Sequence, residues 1–312
     1  MTGRPQLPWY LAPKVELARF APIDFFPSRP GNMQGIPFLC LGTKSRTIGD
    51  ALMLTTLPAK IRAKHPSIEI YSYPRGFNPV VMFGNPHVKG IRYMPRKVYG
   101  DDINWGGGHL IQLKERFFDL EIGDRPRPEL HLLEREKRWA ERYLRVFAKG
   151  ARALPVCVIH PWGQTVRSVA TINFWTSLVR RWSHSYRFIQ VGVAGHDSVP
   201  GCERHLLTPR AYRHARKVFA LMSRAQLFIG VNSGPMHVAR AFDIPSIVLT
   251  QEGEIDTIFR MRRQAPYFLY HNWKHSFLYE ENLHVDVAPL SEEQLLKRLD
   301  TELERMHPST RR

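Results

Sequence analysis

Cysteine is scarce in this chain, and long apolar runs are absent from it. The three cysteines, Cys40, Cys157 and Cys202, are scattered and odd in number. This spacing argues against a disulfide framework and a cysteine-based metal site, and it favours a reducing compartment. No apolar stretch approaches the ~20 residues of a membrane-spanning helix, and the first residues lack the apolar core of a signal peptide. We therefore expect a cytoplasmic protein.

Acidic residues are few relative to basic ones. The 312 residues include 45 Lys and Arg against 28 Asp and Glu, which gives a formal net charge of +17. A field of this sign favours an anionic partner, namely a phosphorylated glycolipid, a membrane surface or nucleic acid. A generally basic, well-solvated surface is the plain alternative.

Internal repeats and low-complexity blocks are absent as well, and the length suffices for two domains with cores of their own. Residues 1–35 are rich in proline and aromatic residues, so we predict an extension laid over the body of the protein. Strand and helix patterns then alternate in two sets, which predict α/β domains at 36–150 and 151–312. Within the first domain we expect one helix over residues 50–64, kinked at Pro58.

The chain is organised around residues 227–250, whose pattern predicts a buried strand, a polar turn, a helix and a second buried strand. Ser233 suits the N-cap of the helix, and Pro235 suits its first turn. The start of such a helix presents free backbone N–H groups and the positive end of the helix dipole to an anion. Gly234 allows a phosphate close to the backbone, and His237 is placed to donate a hydrogen bond to it. The alternative is an ordinary α/β unit whose small residues only let the helix pack tightly.

This stretch resembles the C-terminal signature of family 9 glycosyltransferases, the ADP-heptose:lipopolysaccharide heptosyltransferases and their relatives. The matching residues are Ser233, Gly234, His237, Ala239, Ala241, Pro245 and Val248. Asn232 stands where the family has an acidic residue beside the donor sugar. Further matches are the pair Gly49-Asp50, the segment at residues 85–88 and, more roughly, His160, Pro161 and Gly163, so that the resemblance covers about residues 36–250.

The resemblance implies an α/β fold of GT-B architecture, with two Rossmann-like domains facing a cleft. It implies an inverting transfer of a sugar, heptose or a related one, from a nucleotide-sugar bound mainly by the C-terminal domain. ADP-sugar is the favoured donor, and neither a cofactor nor a metal is expected. Asp50 is the expected general base; an N-terminal helix cap is its plain structural alternative.

The remaining donor-site residues follow from this helix start and from the same resemblance. The donor diphosphate is expected at the backbone after Ser233, formed by Gly234, Pro235, Met236 and His237. Arg167 is the expected stand-in for a basic residue that faces the phosphates, and Asn232 is expected beside the donor sugar. Acceptor contacts are expected from Lys44, Arg46 and His109, although a glycine-flanked loop histidine can equally belong to a mere connection.

The acceptor implied by the family is the lipopolysaccharide core or another surface glycan, reached at the inner membrane. Two alternatives stay open. A GT-B enzyme that glycosylates modified bases of DNA would also use a basic surface, with base flipping into an aromatic pocket. A catalytically inactive nucleotide-binding protein would account for Asn232 in place of the acidic residue.

Overall fold

The structure is a computed structural model that describes residues 36–43, 47–92, 109–147, 154–163, 170–193, 195–207, 212–250, 278–287 and 289–306. The described residues form two compact units. The first contains those up to Leu133 together with Leu278, and the second contains those from Glu134 to Thr250 and from Tyr279 onward. The predicted extension at residues 1–35 lies outside the described residues, as do Lys44, Arg46 and Arg167.

The first unit contains a three-stranded parallel sheet in the order β1-β2-β3. Its strands are β1 (Phe38–Leu41), β2 (Glu69–Ser72) and β3 (Gly90–Ile91). Its helices are α1 (Ile48–Leu52), α2 (Leu57–Lys64), α3 (Asn78–Met82) and α4 (Leu110–Phe117). Apolar side chains of β1 and β2 are buried against those of the helices, which is the packing that a parallel sheet requires.

The helix expected over residues 50–64 is divided into α1 and α2, so the predicted kink at Pro58 is wrong. Pro58 lies in the first turn of α2. Proline has no N–H to donate, and the first turn is the place where a helix does not need one. The sequence therefore starts a new helix at this proline instead of bending an existing one.

The second unit is built on a six-stranded sheet in the order β6-β5-β4-β7-β8-β9, with every pairing parallel. The strands are β4 (Val156–His160), β5 (Arg187–Val193), β6 (Glu203–Leu207), β7 (Leu227–Val231), β8 (Ser246–Thr250) and β9 (Leu283–Asp286). The chain starts in the middle at β4, continues outward to β6, and then returns to β7 on the other side of β4. This is the doubly wound, Rossmann-like order, and its switch point lies between β4 and β7.

In the described part of the second unit, five helices accompany this sheet. They are α5 (Glu134–Phe147), α6 (Ile172–Trp182), α7 (Tyr212–Met222), α8 (Gly234–Ala241) and α9 (Glu292–Met306). Side chains of α6 and α9 form a core with β4, β7 and β8, centred on the fully buried Trp175 and Leu299. Ser291 and Gln294 cap α9 reciprocally, because each backbone N–H donates to the side-chain oxygen of the other residue.

Helix α5 belongs to the second unit, whereas the predicted boundary near residue 150 placed it in the first domain. Arg216 of α7 binds the Glu136 carboxylate with two hydrogen bonds, Nε to Oε1 at 2.9 Å and Nη2 to Oε2 at 2.6 Å. The hydroxyl of Tyr143 donates to Glu203 of β6 at 3.1 Å. The sequence of α5 is strongly charged and indicates a solvated helix. Its partners are distant in sequence and give no local signal.

Candidate functional site

The turn between β7 and α8 lies at the switch point of the second sheet. His160, the last residue of β4, pairs with Gly230 of β7. Residues 161–163 and residues 232–234 therefore leave the carboxyl ends of two neighbouring strands. In open α/β sheets this is where the ligand crevice forms, because the loops diverge to opposite faces of the sheet. Gly230 lets the strands approach, since a Cβ there would lie 2.6 Å from Cζ of Phe228 and 3.0 Å from the carbonyl oxygen of His160.

Ser233 occupies the N-cap position of α8, as predicted, but its side chain does not cap the helix. Its backbone is extended, and its hydroxyl donates to the carbonyl oxygen of Val231 at 3.0 Å. Pro235 has no N–H, and the N–H of Met236 donates to the carbonyl oxygen of Ser233 at 3.0 Å. The Gly234 N–H is thus the first-turn donor left to an anion, together with the helix dipole.

His237 lies in this first turn and is 4% exposed. Its Nδ1 is 2.7 Å from the hydroxyl oxygen of Tyr279. Burial lowers the pKa of His237 to about 3, so the imidazole is neutral at physiological pH. A neutral imidazole still carries one N–H and can donate it to an anion. Contact of His237 with the donor diphosphate stays a prediction.

Asn232, expected beside the donor sugar, is half-buried in the turn that leaves β7. Within the described ranges its side-chain amide has no hydrogen-bond partner. The position is compatible with a ligand contact, and the sugar contact stays a prediction.

Three aromatic rings gather at the carboxyl ends of β4 and β5. The ring centroid of His196 lies 6.2 Å from that of His160 and 5.6 Å from that of Trp162. Nδ1 of His160 is 2.9 Å from the carbonyl oxygen of Val191, and burial lowers the pKa of His160 to about 4. His160 is part of the resemblance to the family's turn, whereas the sequence does not predict His196 at this site, because no spacing pattern connects the ends of two different strands.

Asp50 lies in the first turn of α1, in the loop-to-helix region that follows β1. Thr47 caps this helix: its Oγ accepts the hydrogen bond from the Asp50 N–H at 3.3 Å. Asp50 is therefore not the cap residue, although an acidic side chain in the first turn still suits the positive end of the helix dipole. The carboxylate is half-buried and has no hydrogen bond or ion pair with any residue of the described ranges. Its role as general base stays a prediction.

Asn78 fixes the start of the same loop. Its side chain accepts from the Thr43 N–H at 3.0 Å and donates to the Thr43 carbonyl oxygen at 2.8 Å. The two expected acceptor contacts in this loop, Lys44 and Arg46, lie outside the described residues.

His109, also expected to contact the acceptor, has a structural role as the N-cap of α4. Its Nδ1 accepts from the Ile111 N–H at 3.2 Å, and Gln112 Oε1 accepts from the His109 N–H at 3.4 Å. The residue is 3% exposed. Of the glycine-rich loop that precedes α4, only His109 lies within the described residues, and there it forms a reciprocal capping box with Gln112. Histidine is an uncommon cap, so its residue type does not predict this role.

Within the described ranges, no group of three His, Cys, Asp or Glu side chains is arranged to hold a metal ion. No helix of those ranges combines the length and apolarity needed to cross a bilayer.

The sequence model of glycosyltransferase family 9 (heptosyltransferase) matches residues 214–275, which contain β7, α8 and β8. No curated protein sequence matches the chain.

Solved structures of similar fold include ADP-heptose lps heptosyltransferase II of E. coli, with a TM-score of 0.55, 13% identity, and coverage of 86% of this chain and 98% of that chain. The family 9 glycosyltransferase of Veillonella parvula has a TM-score of 0.60 at 12% identity, covering 86% and 97%. E. coli heptosyltransferase WaaC, solved with ADP, has a TM-score of 0.51 at 10% identity, covering 86% and 99%.

At these identities the structures establish the fold, and the family model adds the match at the switch point. Together they confirm the predicted resemblance to family 9, the α/β fold of GT-B type, and the assignment as a glycosyltransferase. The sugar, the acceptor and the individual site residues are not determined by them.

Proposed function

We propose that the chain is an inverting glycosyltransferase that moves heptose or a related sugar from a nucleotide-sugar to a hydroxyl of the lipopolysaccharide core or another surface glycan. The observation that carries the proposal is the start of α8 at the switch point between β4 and β7. The side chain of Ser233 leaves this helix start uncapped, and the Gly234 N–H lies where a phosphate oxygen would accept a hydrogen bond.

The donor is a nucleoside diphosphate sugar, and ADP is the favoured nucleotide. Support comes from the similar fold of E. coli WaaC, which was solved with ADP. The aromatic rings of Trp162 and His196 border the same crevice at the ends of β4 and β5. Their flat faces suit an apolar or aromatic part of the donor.

The chemistry requires one proton acceptor and one site for the departing charge. Asp50 takes the proton of the acceptor hydroxyl while the oxygen of that hydroxyl attacks the anomeric carbon of the donor sugar. The bond from that carbon to the diphosphate then breaks, and the electron pair leaves with the diphosphate. The Gly234 N–H, the α8 dipole and the neutral His237 stabilise the leaving group, with Arg167 as a further cation. A carboxylate at Asp50 that has no hydrogen bond or ion pair within the described ranges is consistent with the basic role.

An anionic glycolipid surface also fits the exposed face of α5. Its four arginines recur at intervals of three or four residues, so they share one face of the helix. They are Arg135, Arg138, Arg142 and Arg145. All four are exposed, and none has an ion pair in the described part of the chain. The acidic Glu134 and Glu141 of the same helix pair with Lys137 and Arg224 instead. We infer contact of this face with anionic lipid headgroups of the inner membrane.

The experiment is a panel of nucleotide-sugars incubated with the purified protein and read by mass spectrometry. Donor hydrolysis and transfer are measured separately, with lipopolysaccharide core and hydroxymethylated DNA as the two acceptors. Transfer to the core from one ADP-sugar is the expected result. Transfer to DNA alone would overturn the glycan acceptor, and binding of ADP with neither hydrolysis nor transfer would support an inactive nucleotide-binding protein.

A further inference from the structure

Tyr279 and His237 form a buried pair that joins two distant segments of the second unit. The tyrosine hydroxyl lies 2.7 Å from Nδ1 of His237, and the rings meet edge to face with centroids 5.5 Å apart. Tyr279 is 1% exposed and His237 is 4% exposed. The distance is typical of a direct hydrogen bond from a hydroxyl group and leaves no room for a water between the two groups.

Both members of the pair are neutral over the physiological pH range. Burial raises the pKa of the Tyr279 hydroxyl well above its usual value and lowers the pKa of His237 to about 3. A neutral imidazole has one nitrogen with hydrogen and one without. The hydrogen bond made by one ring nitrogen therefore decides which nitrogen carries the proton.

Tyr279 is held in place from both sides. Its carbonyl oxygen is 2.8 Å from Nε2 of His284 and accepts from the Asn282 N–H at 3.1 Å. Next to it, Arg240 of α8 binds Glu281 at 2.5 Å, and the Arg240 guanidinium lies 5.7 Å from the centre of the Tyr279 ring. The segment before β9 is thus tied to α8 at two consecutive turns of that helix. A hydroxyl fixed in this way gives His237 a single orientation.

We propose that Tyr279 is a positioning residue: its hydroxyl donates to Nδ1 of His237 and so keeps the ring hydrogen on Nε2, which donates it to the donor diphosphate. A phenol is a stronger donor than a neutral imidazole N–H, and imidazole nitrogen is a stronger acceptor than a phenol oxygen. The direction of the bond follows from that difference. No described residue hydrogen-bonds Nε2, so this nitrogen is left for the ligand. The inference rests on the proposed function, because it names what orients a residue of that site.

The first test measures the tautomer without any ligand. The ¹⁵N chemical shifts of labelled histidine distinguish a ring protonated at Nε2 from one protonated at Nδ1, and the His237→Gln spectrum identifies the signals. We expect the Nε2–H form in the unsubstituted protein and a mixture of both forms in Tyr279→Phe. An Nδ1–H form in the unsubstituted protein would overturn the proposal, whatever the protein binds.

The second test is a double-mutant cycle on ADP affinity by calorimetry. Tyr279→Phe is expected to weaken ADP binding about ten-fold, and to have no further effect in the His237→Ala background. A merely structural tyrosine would weaken binding equally in both backgrounds, which would overturn the proposal. Tyr143→Phe is the matched control, because it removes a hydrogen-bonded hydroxyl of the same unit on α5, and it should leave ADP affinity unchanged.

The two tests separate failure of this inference from failure of the proposed function. If ADP does not bind at all, the proposed donor is wrong, and the positioning role falls with it even where the tautomer is Nε2–H. If ADP binds and responds to Gly234→Val but not to His237→Ala, the donor site stands and the positioning role of Tyr279 is overturned.

Discussion

His160 at the end of β4 pairs with Gly230 near the end of β7, and this pairing places the two candidate donor-binding turns at neighbouring strand ends. One turn carries Trp162, and the other carries Gly234. The doubly wound order makes the arrangement possible. Strands are added on one side of β4 up to β6 and then, from β7, on its other side, so the switch point lies between β4 and β7.

The carboxylate of Asp50 is expected to matter for turnover and not for donor affinity. Asp50→Asn keeps the size of the side chain and removes the base, and general-base catalysis contributes about 10²–10⁴-fold. We expect a loss of that order in the rate of sugar transfer, with ADP affinity within about two-fold of the unsubstituted protein. Transfer by Asp50→Asn at an undiminished rate would show that another group takes the proton.

The basic face of α5 is expected to bind anionic vesicles. Replacement of Arg138 and Arg142 by glutamate reverses two charges at positions that have no ion pairs in the described part of the chain. Sedimentation with vesicles containing anionic lipid should show at least a ten-fold loss of binding, since each basic residue near such a surface contributes about 1 kcal/mol. The matched control is Arg180→Glu with Lys297→Glu, two exposed basic residues on α6 and α9 that have no ion pair in the described part of the chain. An equal loss in both variants would mean that the whole basic surface acts, without a preferred face.

Because His237 and His160 are buried and neutral, we predict that the free energy of unfolding of the protein falls on mild acidification. Burial lowers the pKa of His237 to about 3 and that of His160 to about 4, whereas an unfolded histidine has a pKa of about 6.5. Below pH 6.5 the unfolded chain binds more protons than the folded one, so the free energy of unfolding falls as pH falls. The slope is at most about 1.4 kcal/mol per pH unit for each histidine, and it ends at the folded pKa.

Urea unfolding between about pH 7 and pH 5 measures this slope. Most carboxylates have pKa values below this range, so their titration contributes little there. His237→Gln should be less stable at neutral pH and should show a shallower pH dependence than the unsubstituted protein. A parallel pH dependence of the two proteins would contradict the buried neutral state of His237.

The ion pair between Glu136 and Arg216 is expected to hold α5 on the second unit. The side chains are 14% and 3% exposed, so removal of one partner leaves a largely buried charge. Arg216→Ala should cost about 3–5 kcal/mol of unfolding free energy, whereas the double variant Glu136→Leu with Arg216→Leu should recover much of it. If Arg216→Ala costs under about 1 kcal/mol, the pair is solvated and α5 is held by other contacts.

The switch-point region could be predicted from the sequence almost completely. The order of elements predicted over residues 227–250 is the observed one, with the buried strands at Leu227–Val231 and Ser246–Thr250 and helix α8 between them. Strands buried on both faces give continuous apolar runs, and the turn at Asn232 and Ser233 interrupts the pattern sharply. Helix α8 begins at Gly234 for the same reason.

The edges of the sheet and the pairs between segments could not be predicted. β6 has the sequence ERHLL, whose polar residues suit an edge strand but give no continuous apolar run. Tyr279 lies 42 residues from His237 in the sequence, and neither residue carries a local sign of the other. The cap function of His109 could not be predicted either. Histidine is not a usual N-cap residue, and the cap becomes visible only when its Nδ1 is seen to accept from a backbone N–H.

Binding of ADP to Gly234→Val, measured by calorimetry beside the unsubstituted protein, tests the central claim most directly. A valine side chain would occupy the space above the first turn of α8, where the diphosphate is proposed to accept the Gly234 N–H. Gly123→Val, in the first unit, is the matched control, because it also adds a branched side chain to a glycine: its φ lies outside the left-handed region, and an added Cβ would meet only Nζ of Lys60, at 3.6 Å. We predict that Gly234→Val weakens ADP binding at least about 100-fold, comparable to the loss of two hydrogen bonds to a charged group, while the control retains it. Equal ADP affinity in Gly234→Val and the unsubstituted protein would place the diphosphate elsewhere and contradict the account.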